Sequence, residues 1–189
     1  MNSERSDHLA SFQQVGRKLY EKGLIHGSSG NLSLRLNGNL LITTHNSSLA
    51  RLTASDIIET GIYEDNAATP SASFELPVHR VIYQLTKARA VVHAHPPCAI
   101  ALSLADNKAV LANAPVIGES TMDIIPGVLA GEVAGLLKSC PLVMVRGHGS
   151  FASGETLDEA LRLTLAFEDE CKNICKNKGL KPLSPSSEA

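Results

Sequence analysis

The period of the hydrophobic positions changes several times along the chain, and each change predicts an element. Leu9, Phe12, Val15 and Leu19 recur at spacings of three and four, which predicts a helix over 8–22 closed by Gly23. A loop of small residues follows, Gly27-Ser28-Ser29-Gly30-Asn31. Leu32-Ser33-Leu34-Arg35-Leu36 then alternates with period two, Asn37-Gly38-Asn39 reads as a hairpin turn, and 40–43 is the returning strand. Thr53-Ala54-Ser55-Asp56 resembles a short helix start before a strand over 57–63. A helix is expected over 75–86, much of it apolar, with Pro77 tolerated in its first turn. The run Ala90-Val91-Val92-His93-Ala94-His95 reads as a strand stopped by Pro96-Pro97. Helices over 99–104, 129–137 and 157–176 and a strand over 142–145 complete the pattern; 179–189, rich in serine and proline, is expected to be a flexible tail. There are no internal repeats. Helices and strands alternate while hairpins recur, so the expected fold class is α/β: a single-domain α/β/α sandwich over 1–178 around a mixed, largely antiparallel sheet.

Composition narrows the function. The 189 residues suit one domain, and 43% hydrophobic with 19% charged residues is an ordinary globular balance. A formal net charge of -2 and the lack of a basic stripe argue against a nucleic-acid partner. No apolar run approaches the roughly 18 residues of a membrane helix, and the polar start Met1-Asn2-Ser3-Glu4-Arg5 lacks a signal-peptide core, so a cytoplasmic protein is expected. Of the four cysteines, Cys98 and Cys140 sit in or beside apolar segments, while Cys171 and Cys175 lie four apart on a helix; they read as packing thiols and not as a disulfide.

The chemistry is concentrated in histidines. A strand sends alternate side chains to one face, so His93 and His95 project together, and imidazoles are the commonest metal ligands. A third candidate, His148, lies between Gly147 and Gly149 just after the apolar run over 141–145. One histidine alone reads as a surface or hydrogen-bonded core residue. Three in this pattern suit a metal with open positions and Lewis-acid chemistry.

Five motifs in order carry a family resemblance: Gly30-Asn31-Leu32-Ser33, Ile42-Thr43, Ser73 with Glu75 and His79, His93 with His95, and Gly147-His148-Gly149. Together, over about 12–175, they resemble the class II aldolase/adducin family. The resemblance implies a zinc ion on His93, His95 and His148, with Glu75 as catalytic acid/base moving a proton at carbon while the metal stabilises an enediolate. The family's 4-epimerases carry aspartate at that position, so Glu75 leans toward carbon–carbon cleavage. His79, four residues after Glu75 on the same helical face, is expected mainly to pack. The resemblance also assigns a phosphate site to Gly30, Asn31, Thr43 and Ser73, with lesser contributions from His45, Asn46 and Ser71.

The chain departs from the family pattern in two places. Asn46 replaces a loop glycine, a position asparagine can fill in the left-handed conformation, and Phe74 replaces a small hydroxyl residue beside Ser73. The aldolases of the family use tyrosines as proton donors, whereas Tyr20, Tyr63 and Tyr83 fall at neither position; Asp123 stands where one tyrosine would. Asp123 is therefore a candidate proton carrier to the aldehyde oxygen, supplied by a neighbouring subunit, or a turn-forming residue before Pro126-Gly127. The expected function is a zinc-dependent aldolase acting on a small sugar phosphate or ketose, in a tetramer as is common in the family. Alternatives are decarboxylation of a 3-oxo sugar-acid phosphate, 4-epimerisation, or a non-catalytic adducin-like assembly domain; retention of Glu75 and all three histidines speaks against the last.

Overall fold

The computed structural model describes residues 2–105, 110–118 and 126–183. Its strands are β1 (Asn31–Leu36), β2 (Asn39–Thr43), β3 (Ile57–Gly61), β4 (Ala90–Ala94), β5 (Val110–Leu111), β6 (Ala114–Ile117), β7 (Leu142–Val145) and β8 (Gly149–Gly154). They form one sheet in the order β3-β2-β1-β4-β8-β7-β6-β5. The β6–β7 pair is parallel and the other pairs are antiparallel. The helices are α1 (Asn2–Glu21), α2 (Leu76–Leu85), α3 (Pro97–Ala105), α4 (Pro126–Leu136) and α5 (Leu157–Lys178). This is the expected α/β/α sandwich about a mixed, largely antiparallel sheet.

Strand alternation divides the core in two. Leu32, Leu41, Val92, Ala94 and Met144 point to one face, where Phe12 and Leu19 of α1, Leu102 of α3 and Phe167 of α5 cover them. Leu40, Ile42, Val91, Val143, Val145 and Phe151 point to the other, under Ile82 and Tyr83 of α2 and Val133 of α4. The second face leads to the site, because His93 lies two residues beyond Val91 on it.

Three strands were not legible in the sequence. β8 is Gly-Ser-Phe-Ala-Ser-Gly, poor in β-branched residues, yet it is held on both sides by β4 and β7. β5 and β6 are short and carry no long alternation. Other differences are at boundaries: α1 starts at Asn2, β4 stops one residue short of His95, and Glu75 is the N-cap of α2 with Pro77 in the first turn. The expected start at Thr53 is a single 3-10 turn with a Thr53–Asp56 capping box.

At the C-terminal end, Gly179 (φ +66°) closes α5 and the Leu183 amide donates to the Pro97 carbonyl, so the expected tail is tied down this far; 184–189 lie outside the described residues. Cys98, Cys140, Cys171 and Cys175 are free thiols, as expected. Beside them the pattern gave no hint of Glu168, a fully buried carboxylate whose oxygens accept the Cys98 and Ala99 amides at 3.0 and 3.1 Å. It caps the start of α3, the element entered directly from His95. Among the described residues no helix is long and apolar enough to cross a membrane.

Candidate active site

The three histidines meet where β4 and the β7–β8 turn end. The His95 amide donates to the Leu24 carbonyl at 2.8 Å, which anchors the chain as it leaves β4. His148 sits in the turn, where the Gly147 amide donates to Ser103 Oγ at 3.0 Å and Arg146 reaches the carbonyls of Ser103 and Gly118. Close approach requires glycine at 149. A Cβ there would stand 2.5 Å from the Ala94 carbonyl oxygen, 2.7 Å from His95 Cδ2 and 2.9 Å from His93 Cε1. Gly149→Ala is therefore expected to push the rings apart and weaken metal binding at least about tenfold, measured by competition with a chromophoric chelator. Wild-type affinity in that variant would show that the rings tolerate the displacement.

One ligand atom from each of His93, His95 and His148 lies within 4.8 Å of the others. His93 Nε2 is 2.9 Å from His95 Nε2, and His148 Nε2 is 2.9 Å from Glu75 Oε1. Glu75 Oε2 stands 3.2 Å from His93 Nε2. On its other side His93 Nδ1 is 3.1 Å from the Ser150 carbonyl, an acceptor only, so Nδ1 carries the proton and Nε2 keeps its lone pair. Burial pulls His93 down to about 4 and His95 to about 3, so both are neutral at pH 7. A bare nitrogen lone pair facing a carboxylate oxygen at 3.2 Å repels it, and a cation between the donors relieves the contact. Three imidazoles, one of them oriented by the Ser150 carbonyl, and an adjacent carboxylate thus fit a divalent metal.

Glu75 is held as an anion. Burial acts to raise its pKa, but the charge that His93 carries in the acid range, together with hydrogen bonds from His148 and the Asn31 amide, holds the carboxyl well below the usual carboxylate range. Asn31 Nδ2 donates to Glu75 Oε2 at 2.7 Å, and Asn31 Oδ1 lies 2.6 Å from His79 Nε2. His79 Nδ1 lies 2.6 Å from Ser33 Oγ, which is 2.7 Å from the Tyr83 hydroxyl. The expected packing histidine is therefore fully buried and bonded at both nitrogens. Ser33 closed the first sequence motif without a role of its own, and Tyr83 was noted only as falling outside the family's tyrosine positions. The available signal was the polar period-two stripe Asn31, Ser33, Arg35 opposite Glu75, His79 and Tyr83, spaced four apart.

Burial lowers His79 from 6.5 to about 4, and Glu75 only partly offsets this. Between those values the unfolded chain binds more protons than the folded one, so stability rises with pH there and is lost on acidification. The metal-free protein is expected to weaken as pH falls from 6.5 toward 4, by up to about 1.4 kcal/mol per pH unit for each buried neutral histidine. Urea unfolding at several pH values reads this directly, and constant stability over that range would contradict it.

The residues expected at a phosphate site gather beside Glu75. Gly30 (φ +76°) packs where a Cβ would stand 2.8 Å from the His93 carbonyl oxygen. Thr43 Oγ1 accepts the Leu32 amide at 3.2 Å, Ser73 Oγ accepts the Glu75 amide at 3.3 Å, and the Ser73 amide donates to the Thr43 carbonyl. Asn46 does adopt the left-handed conformation, at φ +62°. Phe74 turns outward, 74% exposed, and stacks on His45 at 5.3 Å; His45 Nδ1 is 3.1 Å from the Ser71 carbonyl. Asp123 lies outside the described residues.

A cavity of about 30 Å³, room for about one water, opens between Glu75 and His148 on one side and Val78, Val133, Val145 and Phe151 on the other. A groove of about 600 Å³ between α1 and α5, lined by Gln13, Arg17, Lys18, Asp158 and Arg162 among others, contains none of these site residues.

An α/β/α sandwich with three histidines and a glutamate at its sheet end defines the class of protein to compare, and the chain's similarities fall in one family. Residues 10–175 match the Class II Aldolase and Adducin N-terminal domain, and the chain belongs to that family. It superposes on the L-fuculose-1-phosphate aldolase of Thermus thermophilus with a TM-score of 0.80 and 34% identity, covering 92% of this chain and 96% of that one. The methylthioribulose-1-phosphate dehydratase of Acidiphilium cryptum is 31% identical, over 91% of this chain and 96% of its own length. A 3-oxo-tetronate 4-phosphate decarboxylase of Haemophilus influenzae is 29% identical, over 89% and 87% respectively. A probable bifunctional methylthioribose-1-phosphate isomerase/methylthioribulose-1-phosphate dehydratase of Nocardia farcinica is 34% identical over 98 residues, half of this chain and 18% of that protein.

Proposed function

We propose that this chain is a zinc-dependent lyase that cleaves a carbon–carbon bond in a small sugar phosphate or related ketose, releasing a dihydroxyacetone-phosphate-type fragment and an aldehyde. The observation that carries the reading is the Glu75 carboxylate, 2.9 Å from His148 Nε2 and 3.2 Å from His93 Nε2, at the edge of a three-imidazole cluster. His93, His95 and His148 would hold the ion, which when bound supplies Lewis acidity toward substrate oxygens. Glu75 takes or returns a proton at the reacting carbon, and Asn31 orients its carboxylate by donating to Oε2. The Gly30 turn and the hydroxyl-bearing Thr43 and Ser73 receive the substrate's phosphate, next to Glu75. Asp123 carries the proton of the aldehyde oxygen from a neighbouring protomer of a tetramer, so a monomer in light scattering would count against that role.

The test is metal analysis of the purified protein joined to a cleavage assay over phosphorylated and free ketoses. About one zinc per chain with turnover of a ketose supports the reading. Protein purified without chelator and free of metal would return the chain to a non-catalytic assembly role.

A second reading, decarboxylation of a 3-oxo sugar-acid phosphate, is favoured by the tyrosines. Tyr20 and Tyr63 are exposed, and Tyr83 is buried against Ser33. Aldol cleavage needs a group to take the hydroxyl proton, whereas loss of carbon dioxide from a 3-oxo acid needs only a proton returned to carbon. Zinc-loaded protein that decarboxylates such an acid and cleaves no ketose would establish this reading over the first.

A further inference from the structure

We propose that His79, held by Ser33 and Tyr83, is a positioning residue that sets which end of the Asn31 amide faces Glu75. The inference rests on reading Glu75 as the proton-moving group. Four consecutive contacts of 2.6–2.7 Å run from Glu75 through Asn31, His79 and Ser33 to the Tyr83 hydroxyl. Only one assignment of donors satisfies all of them when His79 is neutral. The ionised carboxylate only accepts, so Asn31 turns its NH₂ to Glu75 and its carbonyl to His79. His79 then donates from Nε2 and is left with a lone pair on Nδ1, which accepts from the Ser33 hydroxyl. Ser33 Oγ in turn accepts from Tyr83, whose ring lies under the Arg35 guanidinium at 5.0 Å.

Burial makes the order matter. Asn31, Ser33, His79 and Tyr83 are all less than 7% exposed, so water does not substitute for a lost partner. The two ends of an amide have nearly the same shape, and packing alone does not choose between them. With the other imidazole tautomer, Asn31 would present its carbonyl oxygen to the Glu75 oxygen now 2.7 Å from its nitrogen, and the carboxylate would have to turn away. The run reaches the reacting group from between α2 and β1, through Ser33, His79 and Tyr83.

Two measurements on the zinc-loaded protein test it. Long-range ¹H–¹⁵N spectra should show His79 as the neutral Nε2–H tautomer at pH 7; the Nδ1–H tautomer or an imidazolium would overturn the inference. This readout needs no substrate, so it stands even if the wild type cleaves nothing and the lyase reading fails. The second compares His79→Leu with His79→Gln. Leucine keeps an apolar side chain beside Phe151, which meets the His79 ring edge-on at 6.1 Å, but offers no donor, and should lower kcat about 10- to 100-fold with KM and zinc content nearly unchanged. Glutamine retains a donor toward Asn31 and should recover most of the loss. Wild-type kcat in His79→Leu would show that His79 only packs.

Discussion

Glu75→Gln is expected to bind zinc as the wild type does and to turn over its substrate about 10³-fold more slowly. Glutamine keeps the length and shape of the side chain, and its carbonyl oxygen still accepts from Asn31 Nδ2. What it loses is basicity: an amide does not take up a proton at carbon, and a positioned acid–base group contributes about 10²–10⁴ in rate. A 10³-fold loss corresponds to about 4 kcal/mol of transition-state stabilisation. The metal measurement makes the result specific, since Glu75 also lies 3.2 Å from His93 Nε2 and 2.9 Å from His148 Nε2. Retained zinc with the rate loss assigns Glu75 to proton transfer. Parallel loss of zinc would make it a metal-holding residue, and a rate above about a tenth of wild type would remove it from the chemistry.

The second large effect is expected from His93→Ala, which should reduce bound zinc from about one ion per chain to less than about a tenth and abolish turnover. Of the three histidines His93 is the most buried, stacked on Phe151 at 4.2 Å and on His148 at 5.0 Å. Its Nδ1–H is fixed by the Ser150 carbonyl, which aims Nε2 into the cluster. Two imidazoles remain, too few for a tightly held ion of this kind. The ring's loss also leaves a hole, so folding is checked alongside. A ligand present at about 1,000 times its dissociation constant stabilises the fold by about 4 kcal/mol. Added zinc should therefore raise the wild-type melting temperature and leave that of His93→Ala where it is. Full zinc retention by His93→Ala would place the metal elsewhere.

Much of this was legible because it is local. Alternation over β1, the hairpin into β2 and the periodicity of α1 and α5 depend on residues near one another, and each formed with boundaries shifted by one or two residues, except the start of α1, which lies six residues earlier. The His93–His95 pair followed from strand geometry, and their Nε2 atoms do lie 2.9 Å apart. β8 was not legible, because its glycines, serines and alanine carry no strand signal of their own. They suit a strand enclosed by β4 and β7, with Gly149 under the histidine rings. Glu168 was missed for a similar reason. On α5 it is one acidic residue among several, and its partners, the amides that open α3, lie 70 and 69 positions away.

The sequence by itself determined the donor types and their spacing: two histidines two apart in an apolar strand, a third between glycines, and a glutamate at a helix start. Those follow from periods of two and 3.6 residues, which are properties of the backbone. Only the tertiary structure decided that Glu75 meets His148, 73 residues away, and that the polar side of β1 turns inward. An alternating strand ordinarily places its polar residues toward water. Here both faces are covered by helices, so Asn31 and Ser33 had to find partners under α2, and His79 and Tyr83 are those partners.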